Sequence, residues 1–234
     1  MSADVSDDLE ERGFLKSAEL KIPKHPMITT GRRRLDLRDG TYELKETRAV
    51  KRIVEAEDIV LELGGGIGYM STVLAALCGA REVHTFEANP GLLPYMHDMH
   101  RANGVSDRVQ VHHALLAAQA GPPQNFYVRN NFLASSMDPD VAAYDEVVPV
   151  EVRDLNATLQ TLQPSVLVCD IEGAEAHLLP AGDFSMLRAA IVELHPQWIG
   201  QAGVQAVFDT MHRAGLTYYH RGSEGKVVVF LKGF

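Results

Sequence analysis

Cysteine and tryptophan are scarce in this chain of 234 residues, which contains two cysteines and one tryptophan. Cys78 and Cys169 lie far apart and match no disulfide or metal-ligand spacing, so we expect two reduced thiols. No apolar run reaches the roughly 18 residues that span a bilayer, and we expect no membrane contact. Residues 1–11 are acidic and polar and lack the hydrophobic segment of a signal peptide, which predicts a cytoplasmic protein.

Positive charge is also in deficit. The chain has 22 lysines and arginines against 31 acidic residues, a net charge of -9 with histidine neutral. A negative field disfavours phosphate backbones, so we expect no nucleic-acid partner. The run Arg32–Arg34 is the exception, and it is either a solvated loop or an arm that recognises an anion near a substrate. Composition leaves both a monomer and a homo-oligomer open.

What the chain does have is alternating strand and helix patterns. Met70, Val73, Leu74 and Leu77 have the spacing of one helix face. Two apolar segments at 216–220 and 226–231 flank a glycine-containing turn and predict a hairpin. Short apolar runs predict buried strands at residues 59–63, 83–86, 109–111, 166–169 and 190–194. The pattern predicts an α/β fold of the class I methyltransferase, Rossmann-like type, whose mostly parallel sheet carries an antiparallel C-terminal hairpin strand.

The first part of the chain does not follow this pattern. Residues 17–20 are the best candidate for a short helix, and Pro23 and Pro26 interrupt anything longer. We therefore divide the chain into an N-terminal extension, residues 1–46, and a cofactor-binding domain, residues 47–234. Whether the extension closes over the pocket as a lid is left open.

A glycine-rich loop follows the first predicted strand. Residues 62–68 read E-L-G-G-G-I-G, and glycines at 64, 66 and 68 let a backbone bend sharply and approach a ligand. The dinucleotide pattern G-x-G-x-x-G would need a glycine where Tyr69 stands, and no Gly-Lys-Ser/Thr of a P-loop is present. The observed E-x-G-x-G-x-G spacing favours S-adenosylmethionine (SAM) over a nicotinamide or flavin dinucleotide, with Glu62, Gly64, Gly66 and Gly68 as cofactor-binding residues.

Two further positions support the same nucleoside site. Glu87 ends the second predicted strand, where a carboxylate can accept hydrogen bonds from both hydroxyls of a ribose. His113 and Ala114 follow the third strand, at a position that often lies beside an adenine in such sheets. Either histidine of the pair 112–113 is equally well an ordinary surface or core residue.

Taken together, these motifs resemble the FkbM-like family of SAM-dependent methyltransferases over about residues 40–200. The D-x-E-G-x-E signature is the most specific of them, whereas the glycine loop is common to class I methyltransferases and here has Glu62 where the family more often has aspartate. The matching segments are residues 42–43 (Y-E), 62–68, 86–90 (F-E-A-N-P), 169–175 (C-D-I-E-G-A-E) and 192–196 (V-E-L-H-P).

The resemblance implies methylation of a hydroxyl on a small molecule or glycan. It adds Glu43, Ala88 and Asp170 to the expected cofactor contacts. Two alternatives stay open: N-methylation of a small amine or peptide, and a non-catalytic module that binds SAM without transferring its methyl group.

Catalytic candidates lie at the predicted carboxyl ends of strands, where open α/β sheets bind ligands. A hydroxyl acceptor needs a general base. His195 is one candidate, because imidazole changes charge near neutral pH, and Asp170 is the other. Glu193 points the same way as His195 along a strand and is a candidate orienting partner. Glu172 is either catalytic or an acidic residue that favours the start of a helix.

Asp170, Glu193 and His195 form a mixed oxygen and nitrogen set that suits several divalent cations, but nothing in their spacing demands one, and we predict no metal. Glu175 is interpreted as a helix-opening residue. Weaker candidates for substrate contacts are the polar residues Arg32–Arg34, Asn130, Asn131, Ser135 and Ser136.

Overall fold

The computed structural model describes residue 9 and residues 12–17, 19–129 and 143–234. The four predicted substrate contacts between Asn130 and Ser136 lie outside the described residues.

A nine-stranded sheet forms the centre of the molecule, with the order β10-β11-β9-β8-β3-β4-β5-β7-β6. Its strands are β3 (Ile59–Leu63), β4 (Glu82–Glu87), β5 (Val109–Ala117), β6 (Gly121–Val128), β7 (Glu146–Asp154), β8 (Val166–Cys169), β9 (Ala189–Glu193), β10 (Thr217–Tyr218) and β11 (Val227–Leu231). All five predicted internal strands are confirmed. They are parallel, and β11 pairs antiparallel with β9. The fold is therefore the class I methyltransferase sheet.

Helices cover both faces of this sheet. Alternate residues of one strand face opposite layers, so that Val60 belongs to one apolar cluster and Leu61 to the other. The helices are α1 (Gly31–Asp39), α2 (Leu44–Ile53), α3 (Tyr69–Thr72, which continues as the π-helical segment Val73–Leu77), α4 (Leu93–Ala102), α5 (Leu155–Leu162), α6 (Glu175–Leu178) and α7 (Pro196–Arg213). No helix in the described part of the chain is both long and apolar enough to cross a membrane.

The helix predicted for residues 17–20 is wrong, because this segment lies in a β-hairpin of β1 (Phe14–Ser17) and β2 (Leu20–Pro23). Leu15, Leu20 and Ile22 bury in the same cluster as the main sheet, and alternate burial favours a strand. The Tyr95 hydroxyl of α4 donates to the Pro23 carbonyl at 2.7 Å and fixes the hairpin to the domain. Helix α2 crosses the boundary that we predicted at residues 46 and 47, and the division itself stays a prediction.

An edge hairpin extends the sheet beyond the predicted strands. Strand β5 runs to Ala117, β7 pairs parallel with it, and β6 pairs antiparallel with β7 at the edge. This hairpin places Gln124, Phe126 and Val152 beside the carboxyl ends of the parallel strands, where the site is found.

Candidate functional site

The glycine loop is pressed between two neighbouring backbones. The amides of Gly64 and Gly65 both donate to the Phe86 carbonyl of β4, at 3.0 and 3.1 Å. Gly64 has φ +88°, and a Cβ added there would lie 1.8 Å from the carbonyl oxygen of Asp170. Because any side chain at this position would collide with backbone, glycine is required by the packing of the loop itself.

Gly66 has a different role. A Cβ at Gly66 would meet nothing within 4 Å, and the residue lines a cavity of about 620 Å³. That volume falls within the range of small-molecule sites. Gly68 does not line this cavity; it is the N-cap of α3, and its Cα faces Met96 and His100. Gly68 thus has a packing role at the start of the helix, and its cofactor contact stays a prediction.

Glu87 is held at the mouth of the loop. Its two carboxylate oxygens accept hydrogen bonds from the amides of Gly66 and Asn89, each at 2.7 Å. A carboxylate has about four acceptor positions, so both oxygens retain capacity for the two hydroxyls of a ribose. Ala88 and Ala114 line the same cavity, whereas His113 bonds the Ala88 carbonyl at 3.1 Å and supports the wall from outside.

The inner end of the cavity is strongly acidic. Glu62 is 1% exposed, and neither of its carboxylate oxygens has a hydrogen-bond partner in the described structure. A small adjoining pocket collects Glu43, Glu46, Glu193 and Asp170 around it. Unpaired carboxylates at such depth are costly without a cationic partner. SAM carries a sulfonium and an ammonium group, so these residues fit it, with Gly66 and Glu87 on its nucleoside side.

Burial favours the protonated, neutral form of these acids and so raises their pKa. It raises the pKa of Glu43 to about 8 and the pKa of Glu62 to about 8. Burial, with the nearby charge of Glu193, raises the pKa of Asp170 to about 9. The stability that Glu43 and Glu62 contribute is present below their ordinary pKa and is lost as pH rises through about 8, where both must ionise without a partner.

A cationic cofactor reverses this preference, and SAM affinity should therefore increase with pH. We expect at least a tenfold gain between about pH 5.5 and 7.5, because each proton released on binding contributes up to about tenfold per pH unit. Calorimetry with chelator present, in buffers of different ionisation enthalpy, measures both the affinity and the proton release. A pH-independent affinity without proton release would contradict the assignment of Glu43 and Glu62 to the cationic end of SAM.

A second group of residues surrounds His195, which is 3% exposed at the end of β9. Its Nδ1 lies 2.8 Å from Oε1 of Glu175, a fully buried residue at the start of α6. Its Nε2 faces Glu172 Oε2 at 3.2 Å, Asp170 Oδ1 at 3.7 Å and Glu193 Oε1 at 3.9 Å. The structure thus brings all four predicted catalytic residues together.

We predicted Glu193 as the orienting partner of His195, but the close contact is to Glu175, whose Oε1 lies 2.8 Å from Nδ1, whereas Glu193 Oε1 lies 3.9 Å from Nε2. Glu175 also accepts from the Gly173 amide at 3.1 Å, so it fixes the loop and the imidazole together. Interpreting Glu175 only as a helix-opening residue missed this contact. No local sequence signal separates this role from that of a helix-opening acid, because both place Glu175 at the start of α6.

Backbone strain is concentrated at the same site. Glu43 (φ 44°) and Glu172 (φ 50°) both lie in the left-handed region and both line the cavity. Such conformations cost of order 1 kcal/mol or more for residues other than glycine, and they are typical of functional sites. Two acidic residues with strained backbone conformations therefore line the same cavity.

One prediction about the surroundings needs revision. Arg32–Arg34 lie on helix α1 rather than on a loop, where Arg32 pairs with Asp36 and Arg33 donates to the Ile28 carbonyl, and none lines the cavity. Sequence reasoning also missed the apolar wall of the site. That wall includes Phe86, Leu92, Leu115, Leu116, Phe126, Val152, Ile171 and Leu178.

Comparison with known proteins gives one matching family model. A family model described as the TRM5/TYW2 methyltransferase domain matches residues 32–117, which include the glycine loop and Glu87. No curated protein matches the sequence. The matched segment is less than half of the chain and does not assign it to that family, and the predicted FkbM-like family is not shown either.

Solved structures with a similar arrangement have low sequence identity. Precorrin-6y C5,15-methyltransferase from Geobacter metallireducens GS-15 has a TM-score of 0.49 and 10% identity, over 82% of this chain and 88% of that chain. M. jannaschii TYW2 in complex with AdoMet has a TM-score of 0.49 and 12% identity, over 92% and 81%. Ribosomal protein L11 methylase from Lactobacillus delbrueckii subsp. bulgaricus has a TM-score of 0.48 and 12% identity, over 83% and 80%.

The match to a methyltransferase domain covers β3, the glycine loop and Glu87 beside the cavity, and the sheet has the class I strand order. The chain is a SAM-dependent methyltransferase. The exclusion of nucleic acid that we predicted from net charge finds no support in these comparisons.

Proposed function

We propose that this enzyme transfers the methyl group of SAM to a hydroxyl oxygen of a small molecule or glycan. The observation that carries the proposal is the buried pair of His195 and Glu175, with Nε2 of the imidazole facing Asp170 at the carboxyl ends of β8 and β9. A hydroxyl must lose its proton to become an effective acceptor, whereas a neutral amine needs no strong base. A pre-oriented imidazole is therefore better matched to oxygen than to nitrogen.

The protein's part in such a reaction follows from the contacts. SAM supplies an already activated methyl group. The Glu175 carboxylate accepts the hydrogen bond from Nδ1–H of His195, which leaves the lone pair on Nε2 to receive a proton. Glu175 then stabilises the imidazolium, in the manner of other carboxylate–histidine pairs. Alignment of acceptor and methyl group in the cavity contributes further, on the order of 7–11 kcal/mol in favourable cases.

The negative charge of the residues that line the cavity favours an acceptor without phosphate groups. Glu43, Glu87, Asp170 and Glu172 line the cavity, and their field repels a polyanion. Trp198 is 70% exposed and packs beside Gly173, one residue from Glu172. An exposed aromatic ring at this position suits the apolar face of a sugar or a ring-bearing small molecule. Together with the D-x-E-G-x-E segment, these features favour an FkbM-like activity.

Methyl transfer to a panel of acceptors tests the proposal. The full-length chain is incubated with SAM labelled in its methyl group and with polyhydroxylated small molecules, oligosaccharides, small amines, peptides and bulk RNA. We expect label in the hydroxyl compounds as methyl ethers, at rates at least tenfold above those of matched amines. Transfer only to amines or RNA would reject O-methylation, and tight SAM binding without transfer to any acceptor would favour a non-catalytic module.

A further inference from the structure

The geometry points to a binding site for one divalent cation in the cluster of His195, Asp170, Glu172 and Glu193. Three carboxylate oxygens surround His195 Nε2 at distances of 3.2, 3.7 and 3.9 Å. Ligand atoms bound to one ion at about 2.0–2.2 Å lie roughly 3–4 Å from each other. Each of the three oxygens thus lies at a distance from Nε2 that two ligands of one ion can have, and the four side chains come from the ends of β8 and β9 and from the loop after β8.

The imidazole is already oriented for such a role. Glu175 Oε1 lies 2.8 Å from Nδ1, so Nδ1–H is used inside the protein and the lone pair is on Nε2, towards the carboxylates. Metal-binding histidines almost always donate their other N–H in this way, often to a carboxylate. Glu175 is thus a positioning residue, and a ligand atom of Asp170, Glu175 and His195 each lies within 4.8 Å of the other two.

Unpaired oxygens give an independent reason to expect a ligand. Glu175 is 0% exposed, yet its Oε2 has no hydrogen-bond partner, and Asp170 Oδ1 is likewise sealed and unpartnered. Among the residues that the structure describes, no lysine or arginine forms an ion pair with Asp170, Glu172, Glu175 or Glu193. Only Glu175 among these acids is fully buried, and the side chains of Glu193, Asp170 and Glu172 are 21%, 36% and 77% exposed. A cation at Nε2 would offset the charge of Glu175 and of its partly exposed neighbours.

The donor set indicates which class of ion fits. One imidazole nitrogen with carboxylate oxygens suits Mn²⁺, Fe²⁺, Co²⁺ or Zn²⁺, whereas Mg²⁺ and Ca²⁺ favour oxygen alone. The inference deepens the proposed function and rests on it only for the role of the ion. A bound cation would occupy the Nε2 lone pair and lower the pKa of the acceptor hydroxyl, so that in the metal-loaded enzyme the proton would pass to a neighbouring carboxylate, whereas in the metal-free enzyme Nε2 receives it.

Binding of Mn²⁺ alone, without SAM or acceptor, tests the site. The chelator-treated full chain is titrated with MnCl₂ by calorimetry, and the fluorescence of Trp198, the one tryptophan of the chain, is followed in parallel. We expect one Mn²⁺ per chain and a fluorescence change, because Trp198 packs on Gly173, the residue that follows Glu172 in the chain. Excess Mg²⁺ should displace it poorly.

Variants locate the ion. Glu172→Gln should weaken Mn²⁺ binding at least tenfold, and Glu175→Gln should weaken it about 10- to 100-fold through loss of orientation. Glu151→Gln, an exposed glutamate of β7 paired with Arg153, is the matched control and should bind as the wild type does. SAM binding by each variant shows that it is folded.

The outcomes separate this inference from the proposed function. Wild-type protein that binds SAM but takes up no Mn²⁺, or Mn²⁺ affinity unchanged in Glu172→Gln, overturns the site even if hydroxyl methylation is observed. Stoichiometric Mn²⁺ binding that Glu172→Gln abolishes supports the site, even if the methyl acceptor proves to be an amine.

Discussion

Replacing Glu87 by alanine should lower the affinity for SAM by about a hundredfold or more. A hydrogen bond to a charged group contributes about 1.5–3 kcal/mol, and the carboxylate is placed to accept two from a ribose. Part of the loss will come from the loop, because Glu87 also accepts from the Gly66 and Asn89 amides. Glu82→Ala, at the opposite end of the same strand, is the matched control and should leave affinity within a few-fold.

An analogue of the demethylated cofactor without the ribose 2′-hydroxyl separates the two contributions. Wild-type protein should bind this analogue at least tenfold more weakly than the parent compound, whereas Glu87→Ala should bind both equally, which gives a coupling energy between carboxylate and hydroxyl. Equal discrimination by wild type and variant would place the ribose elsewhere. The nucleoside side of the cavity would then have to be reassigned.

The central sheet was predictable because buried parallel strands have a simple pattern. Strands β3, β8 and β9 are covered on both faces, and each reads as a nearly continuous apolar run, whereas β4 alternates apolar residues with the buried His84 and Thr85. The glycine loop and Glu87 were predictable for a related reason: they follow such runs directly. Residues at the carboxyl ends of adjacent parallel strands meet at one edge, whatever their separation in sequence.

The edge hairpin has no such pattern. Strand β6 begins with Gly121-Pro122-Pro123 and is exposed over its first five residues. Proline is tolerated there because β6 forms the sheet edge and its register shifts between Gly121 and Gln124. Polar, proline-containing segments are more typical of loops, so local pattern could not reveal the strand that supplies Gln124 and Phe126 to the cavity.

Glu175 shows a different limit of sequence reasoning. Its position near a helix start has a sufficient local explanation in the helix dipole, and nothing nearby in the chain indicates otherwise. Its partner is His195, which lies twenty residues further along the chain, just after β9. The acid becomes an orienting group only because α6 packs against α7, whose N-cap is His195, and this packing is a tertiary contact.

Replacing His195 by glutamine should reduce the rate of methyl transfer by about 10²–10⁴-fold, the usual range for a general base, while SAM affinity stays within a few-fold. Glu175→Gln should reduce kcat by a smaller factor of about 10–100, with KM for the acceptor nearly unchanged, because it keeps the side chain's volume but holds the imidazole less firmly. Single-turnover rates and equilibrium SAM binding, measured on the same protein samples, distinguish the two effects.

His177→Gln is the matched control for this pair, since His177 lies two residues from Glu175 on α6 and is exposed. It should retain full turnover. If His195→Gln also retained most of its turnover, the acceptor would not require help in losing a proton, and the amine alternative would replace the hydroxyl one. The buried imidazole would then hold its four acidic neighbours in place without taking part in the chemistry.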